Sequence, residues 1–149
     1  MDDLLKLGKE ILAAQPFSRY VGAELTQFSE GRAELTIPVA HHLEQQNGFV
    51  HGGVISYAAD NVLTFAGGSA LGPKVLTSEY KINYLKPAIG YHIIARATVL
   101  SSSKNQAVCR CEIFAVNDGK ESLCAAGQGT ITKFGESSAG QAASDGETK

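Results

Sequence analysis

HGGVISYAADNVLTFA, His51 to Ala66, is the stretch that decides the fold. From Val54 to Ala66 it is nearly all apolar and lacks the period-two alternation of a half-buried strand, so it reads as a helix. A helix apolar on every side is a buried one, and this run is expected at the centre of the domain. Gly67 and Gly68 then supply its C-terminal stop. Two features do not belong to a plain core helix. One is the histidine and paired glycines where the helix starts. The other is Asp60, an acid in a run otherwise free of charge.

Upstream, DDLLKLGKEILAA (residues 2–14) places Leu4, Leu7, Ile11 and Leu12 along one side, which predicts a short amphipathic helix, with Pro16 just past its end. Tyr20 to Ser29 reads as a first strand and Ser29 to Gly31 as a turn. Arg32 to Val39 alternates cleanly, Ala33, Leu35, Ile37 and Val39 against Arg32, Glu34 and Thr36, so the two runs make a hairpin. AHHLEQQNGFVHGG is a polar loop.

Downstream come four strand-like runs, residues 74–88, 91–103, 106–118 and 121–134, separated by turns at 88–90, 103–105 and 117–120. Such runs read as an antiparallel meander, with the Asp-Gly pair at 118–119 as a hairpin signal. The expected fold class is α+β: one domain over residues 1–134, a curved antiparallel sheet of about six strands wrapped around one central helix. Residues 135–149, GESSAGQAASDGETK, carry no apolar periodicity and are expected to be disordered. The sheet's outer face and edge need cover, so an oligomer is expected.

With 149 residues, 44% of them apolar, the chain can build one real core. A net charge of −2 argues against nucleic-acid binding by bulk electrostatics. No apolar run approaches the ~18 residues of a membrane span. MDDLLKLGKE carries acids where a secretory leader carries bases. A soluble, cytoplasmic protein is expected, and Cys109, Cys111 and Cys124 are expected to be reduced.

At a helix start the first N–H groups lack partners and point a partial positive charge outward. Gly52 and Gly53 there read either as a cradle for a developing oxyanion or as a plain turn into the helix. Asp60 reads either as a functional acid or as an edge aspartate facing water or a lysine. Thr64, at i+4, faces the same way; it can bond the Asp60 carboxylate, a water, or its own helix backbone. If Gly52 opens the helix, Asp60 lies roughly 12 Å along the axis at ~1.5 Å per residue. His51 and Asp60 then cannot reach one substrate atom within a single chain. Either they are unrelated or the site lies between two chains related by a two-fold axis.

HGG, an acid nine residues after the histidine, and TSEYKINYLKPA (residues 77–88) together resemble the hot-dog-fold acyl-CoA thioesterases, closest to the phenylacetate-degradation (PaaI-like) type. The similarity spans about residues 15–134. It implies a thioester hydrolase with Asp60 as general base or nucleophile. It implies that the Gly52 N–H donates to the thioester carbonyl, with Gly53 beside it, and that His51 helps position the thioester and the loop. An amide side chain six residues before the histidine, Gln45 here, helps hold the water or thioester; Asn47, four before, departs from that spacing. Thr77, early in the next strand, supports the water from the acid's side, and Thr64 is placed with the substrate-binding residues. The resemblance further implies an acyl-CoA substrate, sites between subunits of a homodimer or homotetramer, and no cofactor or metal.

Other motifs carry less. His41 and His42 have no carboxylate at ligand spacing. Cys109 and Cys111 are not C-x-x-C and read as core thiols. GGSAL (67–71) lacks the last glycine of a nucleophile elbow, and GQGTIT (127–132) fails the dinucleotide fingerprint. Two alternatives stand beside the thioesterase: a non-catalytic acyl-CoA-binding module, and another hot-dog enzyme such as a dehydratase, whose histidine and acid would here meet only across chains.

Overall fold

Alternate burial along the strands makes one face of a sheet apolar, and that face closes on a single helix. The structure, a computed structural model, describes residues 2–135. The tail expected to be disordered falls, beyond Gly135, outside the described residues. The chain runs α1 (Asp3–Ala13), α2 (Pro16–Val21), β1 (Glu24–Ser29), β2 (Arg32–Pro38), a 3₁₀ turn at His41–Leu43, α3 (Gly52–Leu71), then β3 (Val75–Tyr84), β4 (His92–Ser102), β5 (Gln106–Asn117) and β6 (Lys120–Lys133). The six strands form one antiparallel sheet in the order β1-β2-β4-β5-β6-β3, curved around α3, which is the expected hot-dog architecture. Among the described residues no helix is long and apolar enough to cross a membrane.

The core forms where the two periods meet. Ala107, Cys109, Cys111, Ile113 and Ala115 of β5 are buried at every second position. Ile55, Ala58, Ala59, Val62, Leu63 and Ala66 form the facing side of α3. Many of these are small, so helix and sheet approach closely. At Gly67 a Cβ would lie 2.6 Å from the Ile131 Cβ. The three cysteines are buried free thiols, and burial pushes Cys109 up to about 11 and Cys111 to about 12, far from a reactive thiolate.

Four expectations are corrected. Residues 16–21 are helical, so the first strand starts at Glu24 and not at Tyr20: Pro16 opens α2 and Gly22, at φ +83°, ends it. Gly67 and Gly68 lie inside α3, which continues to Leu71; Gly67 serves as a close packing contact with Ile131 and not as a stop. The four last strands are not a meander. β3 pairs with β6 at the sheet edge, while β4 lies between β2 and β5. The connector explains this. From Leu85 to Tyr91 it is bonded at Cys124, Val50 and Val116 in turn, so it crosses the sheet end as a strap and is no hairpin turn. Finally, α3 is not apolar all round: Ser56, Tyr57, Asp60, Asn61 and Thr64 form a half-buried polar stripe.

Candidate active site

The start of α3 is built by His51. It is the N-cap, with φ −59° and ψ 136°, and its Nδ1 accepts the Gly53 N–H at 2.8 Å. An accepting Nδ1 leaves the proton of the neutral ring on Nε2. The His51 carbonyl takes the N–H groups of Val54 and Ile55. The Gly52 N–H is left without an acceptor among the described residues, at the positive end of a 20-residue helix. Tyr84 closes over it: its hydroxyl donates to the Gly52 carbonyl at 3.0 Å.

Gln45 lies near this helix start, in the wall of a depression of about 320 Å³ that also includes Gly52, Tyr84 and Lys86. Its side-chain oxygen accepts the Asn47 N–H and closes a tight loop under the Glu44–Val50 bridge. Asn47 itself is exposed at the loop tip. Within one chain the structure therefore groups His51, Gly52, Gly53 and Gln45 at one end of α3 and leaves Asp60 two turns away.

Asp60 forms a second group with β3. Thr77 Oγ1 donates to Asp60 Oδ1 at 2.6 Å, the length of a hydroxyl bond to a carboxylate. Thr64 Oγ1 lies 2.8 Å from Thr77 Oγ1 and 2.7 Å from the Asp60 carbonyl, so it bonds the helix backbone and Thr77 and not the carboxylate itself. Asp60 Oδ2 has no partner among the described residues, and the residue is half-buried. One carboxylate oxygen is thus fixed and the other is open to a ligand.

A β-bulge aims Thr77. The β3–β6 register shifts between Thr77 and Glu79, with Ser78 as the extra residue. Val75 and Thr77 face inward before it, and Tyr80 and Ile82 after it. The bulge changes the phase of the alternation so that both halves of the strand address α3. Beyond the bulge, Tyr80 lies 2.5 Å from Ser56 Oγ, hydroxyl to hydroxyl.

The sequence reading missed the other flank of the polar stripe. Asn61 Nδ2 donates to the Tyr57 hydroxyl at 2.9 Å, which donates to Ser18 Oγ at 2.6 Å, and Ser18 donates to Gln15. This chain ties α3 to α2. Burial, with a smaller contribution from Asp60, pushes the Tyr57 phenol above its ordinary value, against the lowering by Ser18 and Asn61, so it stays a neutral donor. Among the described residues no three His, Cys, Asp or Glu side chains come together as a metal site.

Residues 47–122 match the model of the thioesterase superfamily. A thioesterase family protein from Silicibacter pomeroyi is 32% identical, with a TM-score of 0.79 over 84% of this chain and 93% of its own. A thioesterase from Haemophilus influenzae is 26% identical, with a TM-score of 0.77 over 90% and 92%. A single-site variant of the phenylacetic acid degradation protein PaaI from Thermus thermophilus is 26% identical, with a TM-score of 0.70 over 80% and 100%. The chain belongs to the thioesterase superfamily. It is a thioester hydrolase of the hot-dog fold, with PaaI proteins among its structural neighbours.

Proposed function

We propose that the protein is an acyl-CoA thioesterase whose sites are each shared by two chains. The observation that carries this reading is the placement of an open carboxylate oxygen on Asp60 and an unpaired N–H on Gly52 on one rigid helix, roughly 12 Å apart at ~1.5 Å per residue. Each group is built for thioester hydrolysis, and neither can serve the other's substrate atom in the same chain. A two-fold axis that brings the α3 start of one chain to Asp60 of the next makes two complete sites. Among the described residues the ten-residue edge strand β3 has no neighbour on its outer side, which supports a second copy there.

In the mechanism, Asp60 Oδ2 takes a proton from a water as that water attacks the thioester carbonyl. The oxyanion that forms is held by the Gly52 N–H of the partner chain, backed by the helix end. Thr77 keeps the carboxylate in one orientation. The intermediate then expels the coenzyme A thiolate, which the proton on Asp60 neutralises, leaving the free acid.

The test is release of free thiol from a panel of acyl-CoAs by wild type and Asp60→Asn, which keeps an acceptor for Thr77. The expected loss in kcat is about 10²–10⁴-fold, the usual share of a general base. A wild type that binds the panel without turnover would make the protein a binding module.

A further inference from the structure

A narrow cavity of about 250 Å³ runs between α1 and α3. It exists because α1 is held to β1 and not to α3. Gly8 sits directly over Leu25 and Phe28, where a Cβ would fall 2.5 and 2.6 Å from their side-chain carbons. The opposite wall is one stripe of α3, Asn61, Thr64, Phe65 and Gly68, ending at Gly72. From residue 61 to residue 72 that stripe is about 16 Å long at ~1.5 Å per residue. Among the described residues no charged side chain lines the cavity. Thr64 connects it to the acid, since Thr64 bonds Thr77 and Thr77 bonds Asp60. The Thr64 end of the slot is thus two hydrogen bonds from the Asp60 carboxylate, and the other end lies two to three turns further on.

We propose that this slot holds the acyl tail, that the substrate is an uncharged, extended apolar acyl chain, and that Gly68 sets its length. The proposal rests on the thioesterase reading. A tail bearing a second carboxylate would be buried here without a cation and is disfavoured. Length is selected because the slot follows the helix axis over three turns, where a compact group fills only one. Gly68 is the position that leaves the far half open: a Cβ there meets Val75 Cγ2 at 3.4 Å, an ordinary contact, while a longer side chain would cross the slot. Leu7, on the α1 wall, is 46% exposed, an apolar side chain that a bound tail would cover.

The experiment measures kcat/KM for straight-chain acyl-CoAs of increasing length on wild type, Gly68→Leu and Leu7→Trp; Leu7 is a surface position, so that variant guards against a folding failure at Gly68. In wild type each added methylene is expected to raise kcat/KM about fourfold until the slot is full. Both variants should move the optimum to shorter chains and raise the short-to-long ratio by about tenfold or more. The same length profile in all three proteins, or an equal loss at every length, overturns the proposal. So does a wild type that favours dicarboxylic or compact aryl thioesters. A change of oligomeric state in Leu7→Trp with an unaltered profile also overturns it, assigning that wall to a subunit contact. Calorimetry with non-hydrolysable thioether analogues separates this reading from the parent one. Length-dependent binding without turnover keeps the slot and removes the hydrolase; turnover without length dependence removes only the slot.

Discussion

A site shared by two chains, as proposed, makes a quantitative demand. Gly52 is the first residue of α3, where proline is tolerated because the N–H it lacks is unpaired in the helix. His51, at φ −59° and ψ 136°, already has the extended conformation that a following proline requires. The nearest Tyr84 atoms stand 3.6 Å from where a Cβ at residue 52 would be, ordinary contact. Gly52→Pro therefore removes one N–H and little else, and the expected loss is about 10²–10³-fold in kcat. Asp60→Asn removes the base from the other half-site. When the two variants are combined in one dimer, one site carries both lesions and the other carries neither. Random pairing of equal amounts makes half of the dimers mixed, each with one working site of two, so activity returns to about a quarter of wild type. A mixed dimer isolated with two affinity tags should reach half the wild-type kcat per dimer. The assay is thiol release before and after subunit exchange, with Gly52→Ala as a control that keeps the N–H. If the mixed dimer is no more active than its parents, the site is not shared in this way. If Gly52→Pro alone keeps full activity, this N–H is not the oxyanion donor.

Thr77→Val should lower kcat about 10- to 100-fold, the worth of a hydrogen bond to a charged group, while Thr64→Val costs less than about tenfold because its bonds are to neutral oxygens; kcat on one thioester for both variants checks the order. Gly67→Ala should destabilise by about 1–3 kcal/mol because three Ile131 atoms lie within 2.8 Å of the new methyl, whereas Gly68→Ala should be neutral or stabilising; thermal melts distinguish them. On the outer face, Arg96 bonds Glu34 and both oxygens of Glu121, and holds the Glu121 carboxyl below its ordinary value. A lowered folded-state value means that this stability is complete above the usual ~4.3 and is lost as the pH falls through the depressed value. Urea melts from pH 7 to pH 3 should show that slope flattened in Arg96→Gln. The same variant loses about 1–3 kcal/mol at pH 7, because it leaves Glu34, 9% exposed, with Thr26 alone.

Local pattern made most of the elements legible. Strand alternation gave β2 and the last three strands nearly residue for residue, and the apolar run gave the central helix. What failed was what local pattern does not encode. The neighbour of β3 is chosen by the strap from Leu85 to Tyr91, whose bonds go to Cys124, Val50, Val116 and Val39. The reason for a glycine at 67, inside α3, is the closeness of Ile131 across the core. By contrast, α2 could have been read: proline at its first position and glycine just past its end bracket FSRYV.

The acid itself shows why the helix was misread as apolar on all sides. Charge alone marks Asp60 as isolated, but hydrogen-bonding capacity does not. Ser56, Tyr57, Asp60, Asn61 and Thr64 recur at helical spacing, and each has a hydrogen-bonded side-chain partner on α2, on α3 or on β3. A hydropathy count scores tyrosine with the core, and serine and threonine as near neutral, so the stripe disappears into the apolar background. Counting donors and acceptors brings it out. It also explains how a half-buried carboxylate is tolerated on a packed helix: one oxygen is satisfied by Thr77, and the other, without a partner among the described residues, is only part-buried. Under the shared-site proposal, one second copy completes both the open oxygen and the open strand edge.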